Sequence, residues 1–100
     1  MELRNFQIDI PGKGIIDVNF TLHFNNNSIS VNEIKLHADF DSGLPHHPQL
    51  RLHENEWQLY AQVPVMKNNE MVIIDEYLDD DVSKQIVEKL LEYRNDAKVK

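Results

Sequence analysis

Two stretches near the start of the chain alternate apolar and polar residues. The first alternation runs from Phe6 to Ile10, and the second from Ile16 to Phe24. A period of two residues is typical of strands that bury one face. The Pro- and Gly-containing segment 11–14 lies between them and favours a turn. We therefore predict two consecutive strands joined by a short turn.

The segment Asn25–Ser28 is typical of a tight hairpin, because asparagine tolerates the positive φ that such turns need. If Asn25 pairs with Ser28, apolar residues match across the hairpin as far as Val31. Towards Ala38 the apolar positions then change phase, and a slip of one residue would turn side chains to the wrong face. We therefore predict a β-bulge near Asn32–Glu33.

Residues 41–56 form a polar insert that we predict to be a loop, with one glycine and two prolines. Within it, Leu50–His53 is predicted to be a short added strand beside Trp57–Tyr60. The alternation from Trp57 to Val65 predicts the next strand, with Pro64 marking an edge or an end. Met71–Ile74 is a short apolar run that we predict to be a further strand.

The C-terminal segment changes to a helical period. Apolar residues from Val82 to Tyr93 recur at i, i+4 and i+8. The acidic run 79–81 supplies an N-cap and first-turn charges that favour a helix start, and residues 95–100 are predicted to be a flexible tail. The predicted fold is a single α+β domain over 1–100, with one antiparallel sheet of about five strands and one C-terminal helix packed on one face.

The charge balance argues against nucleic acid as a partner. Seventeen acidic and ten basic residues give a net charge of −7, which repels phosphates unless the basic residues are gathered together. They are scattered, apart from Lys98 and Lys100 in the predicted tail. The chain has no cysteine, no apolar run long enough to span a membrane and no signal-peptide pattern at its start. We expect a cytoplasmic protein.

No arrangement of residues predicts catalysis, a cofactor or a metal. The five histidines are not spaced as metal ligands, and the acidic run 79–81 lacks the alternating oxygen ligands of a calcium loop. Serines lie in no nucleophile motif, and three glycines cannot supply a phosphate-binding loop. We therefore predict a protein that is not an enzyme and that acts through protein partners.

The candidate partner-binding residues lie in the insert and the strand that follows it. Trp57 is either a core aromatic residue or an exposed anchor, since tryptophan and tyrosine are enriched at interface hot spots. Tyr60 is out of phase with Trp57, so the two are expected on opposite faces. The predicted partner-binding residues are His46, His47, Leu50, Arg51, His53, Trp57 and Tyr60.

Two segments resemble the SpoVG septation-regulator family of bacteria. The hairpin over 20–36 resembles the central hairpin of that family, including its phase break before an acidic-Ile-basic-apolar run. The strand Gln58–Pro64 is similar to its next strand, and the last segment, from Glu70 to the helix that closes on Leu90–Tyr93, is similar to its C-terminal segment. The resemblance covers about residues 15–38 and 57–94. It implies a sheet-and-helix fold and a homodimeric regulator.

The chain departs from that family where the family has basic residues. Val65-Met66-Lys67 follows the strand-ending proline, Glu76-Tyr77 replaces a His-Pro pair, and acids 79–81 replace a basic helix start. We therefore expect a bacterial or phage regulatory protein that forms a homodimer and binds protein rather than nucleic acid. The alternative is a small acidic inhibitor, such as a toxin immunity or phage anti-defence protein, that neutralises a basic or nucleic-acid-binding enzyme.

Overall fold

In the computed structural model, which describes residues 1–97, six β-strands precede one C-terminal α-helix. The chain is α+β, as the sequence predicts. The elements in chain order are β1 Glu2–Ile10, β2 Gly14–Asn25, β3 Ser28–Ala38, β4 Gln49–His53, β5 Glu56–Lys67, β6 Glu70–Leu78 and α1 Asp81–Ala97.

The predicted single sheet is wrong. The strands form two separate antiparallel sheets of three strands, β1–β2–β3 and β4–β5–β6, which we call the first and second sheets. The break falls between β3 and β4, where residues 39–48 carry the chain away from the edge of β3. Along this edge the loop makes one backbone bond, from the N–H of Leu36 to the carbonyl of His46 at 2.8 Å. The two strand edges are otherwise left facing a cleft.

The bulge predicted in the β2–β3 hairpin is confirmed. Asn25 pairs with Ser28, and Thr21 with Asn32, as the hairpin requires. The next paired residues are Asn19 and Lys35, so two residues of β3 oppose one of β2. Glu33 takes up the extra length with a left-handed φ of 53°. The shift returns the later apolar residues of β3 to the core face.

The predicted added strand is also confirmed, and so is its pairing. Leu50 lies opposite Leu59, and Leu52 opposite Trp57. The insert 41–56 is therefore a loop only in part, because β4 occupies its second half and β5 begins at Glu56. β6 is longer than the predicted strand: it continues past Ile74 to Leu78.

The core lies between the first sheet and the helix, with Leu59 contributed by the second sheet. α1 packs against both sheets: it contacts β3 and β5, and its Tyr93 contacts Phe6 of β1 and Phe20 of β2. Residues 95–97, which were assigned to the tail, belong to the helix, and the rest of the predicted tail lies outside the described residues. The buried residues of the hydrophobic core cluster are Phe6, Ile8, Ile16, Val18, Phe20, Leu22, Ile34, Leu36, Leu59, Ile86, Val87 and Leu90.

The helix begins at a capped terminus. Asp80 accepts hydrogen bonds from the backbone N–H of Ser83 at 3.0 Å and from its hydroxyl at 2.7 Å. Burial raises the pKa of the Asp80 carboxyl, but the hydrogen bonds from Ser83 outweigh this effect and the pKa lies below its usual value. The N-terminus of α1 is therefore fixed by a charged cap.

Candidate functional site

A cleft of about 630 Å³ lies between β3 and β4. The volume falls within the range of ligand-binding pockets. One wall is β3 from Ile29 to Lys35, and the other comprises residues 47–50 together with Trp57. Apolar side chains from both walls, including Val31 and Leu50, face this space.

The β3 wall presents unpaired backbone groups. In an antiparallel ladder, hydrogen-bonded and non-hydrogen-bonded residue pairs alternate. The two-residue turn closes with a hydrogen-bonded pair, Asn25 and Ser28, so the pair of Leu22 and Val31 is non-hydrogen-bonded. The backbone N–H and C=O of Val31 consequently point away from β2, towards the cleft.

The opposite wall presents its own open edge. The β4–β5 turn closes between His53 and Glu56, and its two residues, Glu54 and Asn55, have positive φ. By the same alternation, the backbone groups of Leu50 point away from β5 and towards the cleft. Two strand edges therefore face each other across the space.

Arg94 borders the cleft from the helix. Its Nε donates a hydrogen bond to the carbonyl of Ile29 at 3.0 Å, and its guanidinium carbon lies 4.8 Å from the centre of the Trp57 ring. Trp57 is half-buried and packs against the core. Trp57 therefore contacts the core and also lines the cleft.

His46 is hydrogen-bonded to the edge of β3, outside the set of residues that line the cleft. Its carbonyl accepts the N–H of Leu36, and its Nδ1 donates to the carbonyl of Leu36 at 3.2 Å. Through these two hydrogen bonds, the single residue His46 pairs with Leu36 at the edge of β3. The buried Pro48 then turns the chain into β4. His46 thus holds the shape of the cleft and is not among the residues that line it.

The predicted partner-binding residues divide between two faces of the second sheet. His47, Leu50 and Trp57 line the cleft, whereas Arg51, His53 and Tyr60 do not. Because successive residues of a strand point to opposite faces, a run such as 50–53 cannot form a single surface. The sequence candidates are therefore two clusters and not one site.

Arg51 organises the second cluster. Its Nη1 donates to Asp75 at 2.8 Å and to the Tyr77 hydroxyl at 3.1 Å, and its Nη2 donates to the Tyr60 hydroxyl at 2.8 Å. The hydrogen bond to Tyr77, then that to Asp75, raises the pKa of the Arg51 guanidinium above its usual value. His53 stacks on the Tyr77 ring with centroids 3.9 Å apart. The donors of Arg51 are thus directed to its own chain.

Sequence reasoning missed four contributors to these clusters. Ile29 and Arg94 of the cleft lie 65 positions apart, and no local pattern connects them. Asp75 and Tyr77 lie beyond the predicted end of β6. Local periodicity gave no signal for these two residues, because the adjacent polar residues Asp75 and Glu76 interrupt the apolar pattern after Ile74.

Within residues 1–97, no three His, Cys, Asp or Glu side chains gather closely enough to hold a metal ion. The helix described here is not of a length and apolarity that would cross a membrane. No model of a known protein family matches the chain, and neither the curated proteins nor the solved structures compared with it gave a match.

Proposed function

We propose that this chain is a non-enzymatic, cytoplasmic binding protein that captures an extended segment of a protein partner in the cleft between β3 and β4. The observation that carries the proposal is the pair of open strand edges across a cleft of about 630 Å³. A strand added there pairs with β3 through Val31 and with β4 through Leu50. It would join the two sheets into one, which is recognition by strand addition.

The side chains of the cleft define the segment that fits. Ile29, Val31 and Leu50 offer apolar contact to alternate residues of an added strand, and Trp57 adds a half-buried aromatic surface. Backbone hydrogen bonds supply affinity without selecting a sequence, whereas pockets for alternate side chains supply selectivity. The partner segment therefore has apolar residues at every second position.

The net charge favours a basic partner. A charge of −7 on a chain of 100 residues attracts a positively charged protein and speeds its association. The resemblance of the β2–β3 hairpin and of the strand ending in Pro64 to the SpoVG family is the ground for proposing a regulatory role. The charge equally supports the inhibitor of a basic enzyme, and the identity of the bound partner distinguishes these two roles.

The test is a selection of random twelve-residue peptides displayed on phage. Enriched peptides are expected to alternate apolar residues and to bind with micromolar affinity in fluorescence polarisation. Val31→Pro removes the N–H that points into the cleft and leaves the β2–β3 ladder intact, because proline is tolerated at an outward edge position. We expect it to weaken binding at least tenfold. Val31→Ala retains the N–H and is the matched control.

A second variant, Trp57→Ala, tests the aromatic wall and is expected to weaken the same peptides. If enriched peptides bind Val31→Pro and Trp57→Ala as tightly as the unmodified chain, the binding site is elsewhere and the proposal is wrong. The proposal is also wrong if no peptide is enriched relative to a control selection, in which the same library is passed over a support without the protein. Amide exchange of β2 and β3 confirms that each variant retains the ladder.

A further inference from the structure

The outer part of the β5–β6 hairpin carries apolar residues on both of its faces. We call residues 61–76 the arm. Met66, Met71 and Ile73 are 64%, 67% and 61% exposed and lie on one face. Val63 pairs with Ile74 on the other face, which continues the apolar side of the second sheet. Clustered exposed apolar side chains are a common feature of interaction surfaces.

β6 has an open edge along its whole length. It pairs with β5 on one side, and no strand of the described chain pairs with it on the other. The turn closes between Lys67 and Glu70, so the backbone groups of Met71, Ile73, Asp75 and Tyr77 point outwards by the alternation of the ladder. A long, apolar edge of this kind pairs readily with another strand.

The β5 edge and the β6 edge of the arm differ in their capacity to donate backbone hydrogen bonds. The outward backbone position at the middle of the β5 edge is Pro64, which has no N–H to donate. β6 contains no proline and no lysine, and of its three charged residues, Glu70, Asp75 and Glu76, only Asp75 is at an outward backbone position. The arm therefore offers one edge for strand addition, and it is the β6 edge.

We propose that the chain forms a two-fold symmetric homodimer by antiparallel pairing of β6 with β6 of a second copy, centred on Ile74. A strand that pairs with its own copy about a two-fold axis is self-complementary, so one surface supplies both halves of the interface. The paired second sheets then form a continuous sheet of six strands. This interface is separate from the cleft and does not depend on its function.

The acidic residues of β6 select the register. When the axis passes through Ile74, all nine residues of β6 pair, and Ile73 lies opposite Asp75. When the axis passes through Ile73, Glu70 lies opposite Glu76. When it passes through Asp75, this carboxylate lies opposite its own copy. Like charges directly opposite each other destabilise a strand pair, so the register centred on Ile74 is preferred.

The absence of cysteine makes the register directly testable. In this register Ile74 forms a non-hydrogen-bonded pair with its own copy, with Cα atoms about 4.5 Å apart, which is within the range of a disulfide. We expect Ile74→Cys to form a covalent dimer under mild oxidation. Val72→Cys alone and Glu76→Cys alone should not, because each lies opposite the other residue. A mixture of these two variants should cross-link.

The association itself is tested by light scattering at high micromolar concentration. We expect a mass twice the 11.7 kDa of one chain. Ile73→Pro removes an outward N–H of β6 and should raise the dissociation constant at least tenfold, whereas Ile73→Val retains the N–H and should not. A monomer mass together with no cross-link in any cysteine variant overturns the proposal. A dimer in which Val72→Cys or Glu76→Cys alone cross-links as readily as Ile74→Cys overturns the register.

Discussion

The guanidinium of Arg94 lies over the ring of Trp57, with 4.8 Å between its central carbon and the ring centroid. Its Nε also donates to the carbonyl of Ile29 in the other sheet. One side chain of the helix thus connects an aromatic residue of the second sheet to an edge strand of the first. Arg94 thus connects the two walls of the cleft.

Removal of this contact should loosen the junction between the sheets. A cation–π pair contributes about 0.5–1 kcal/mol, and a hydrogen bond from a charged donor contributes about 1.5–3 kcal/mol, less where solvent screens it. We expect Arg94→Ala to lower the free energy of unfolding by about 1–2 kcal/mol in urea titrations. Trp57 is the single tryptophan of the chain, so its fluorescence reports the change directly. Lys89→Ala, on the exposed face of the helix, should change the free energy of unfolding by under about 0.5 kcal/mol.

The Asp80 cap makes the stability of the chain depend on pH. Its pKa is lowered in the folded protein, so its stabilising effect is present above the pKa of an unfolded aspartate, about 3.9, and is lost as the pH falls through the folded value. We expect Asp80→Ala to cost about 1 kcal/mol at pH 7 and to flatten the loss of stability between about pH 5 and pH 2. Circular dichroism melts across this range measure both effects. Asp79→Ala should retain the pH dependence of the unmodified chain.

The bulge residue Glu33 has a conformation that glycine adopts more readily. Its φ of 53° is strained for a side chain with a Cβ, at a cost of about 1–2 kcal/mol. We expect Glu33→Gly to leave stability unchanged or to raise it by up to about 1 kcal/mol, despite the greater flexibility of glycine. Lys35→Gly, two residues along the same strand, should instead destabilise the chain by about 1 kcal/mol. If both substitutions destabilised equally in urea titrations, the bulge would not lie at Glu33.

The charge distribution predicts no measurable binding of duplex DNA at physiological salt. The four basic residues best placed to contact phosphate on the sequence evidence are Lys35, Arg51, Lys67 and Lys84. Arg51 is already bonded to Asp75, and the other three lie on β3, at the tip of the arm and in the first turn of the helix. A gel-shift titration checks this expectation. A micromolar affinity that falls steeply with added salt would contradict it.

Local sequence patterns were sufficient to predict most of the strands and the helix. The β2–β3 hairpin, its bulge, the strand Leu50–His53 and the C-terminal helix could all be predicted, because each depends on residues close in sequence. The bulge is the clearest example, since the change of phase between Val31 and Ile34 has few physical solutions. β6 was predicted too short because Asp75 and Glu76, which point to opposite faces, interrupt the apolar run before Tyr77 and Leu78.

The candidate site could be predicted only as a region. The sequence predicts His47, Leu50 and Trp57 as partner-binding residues, and all three line the cleft. The division of Arg51, His53 and Tyr60 onto the opposite face follows from strand alternation once β4 is accepted as a strand. His46 was assigned to partner binding, yet its backbone and ring hold the edge of β3.

The sequence by itself determined which segments are strands, where the hairpins turn and which face of the helix is apolar. These features arise from side-chain periodicity and backbone preference, which act over a few residues. Only the tertiary structure decided that β4 would stand apart from β3 and leave two sheets with a cleft between them. That outcome depends on contacts between distant residues, such as Arg94 with Ile29 and Leu36 with His46, whose energies no local pattern records.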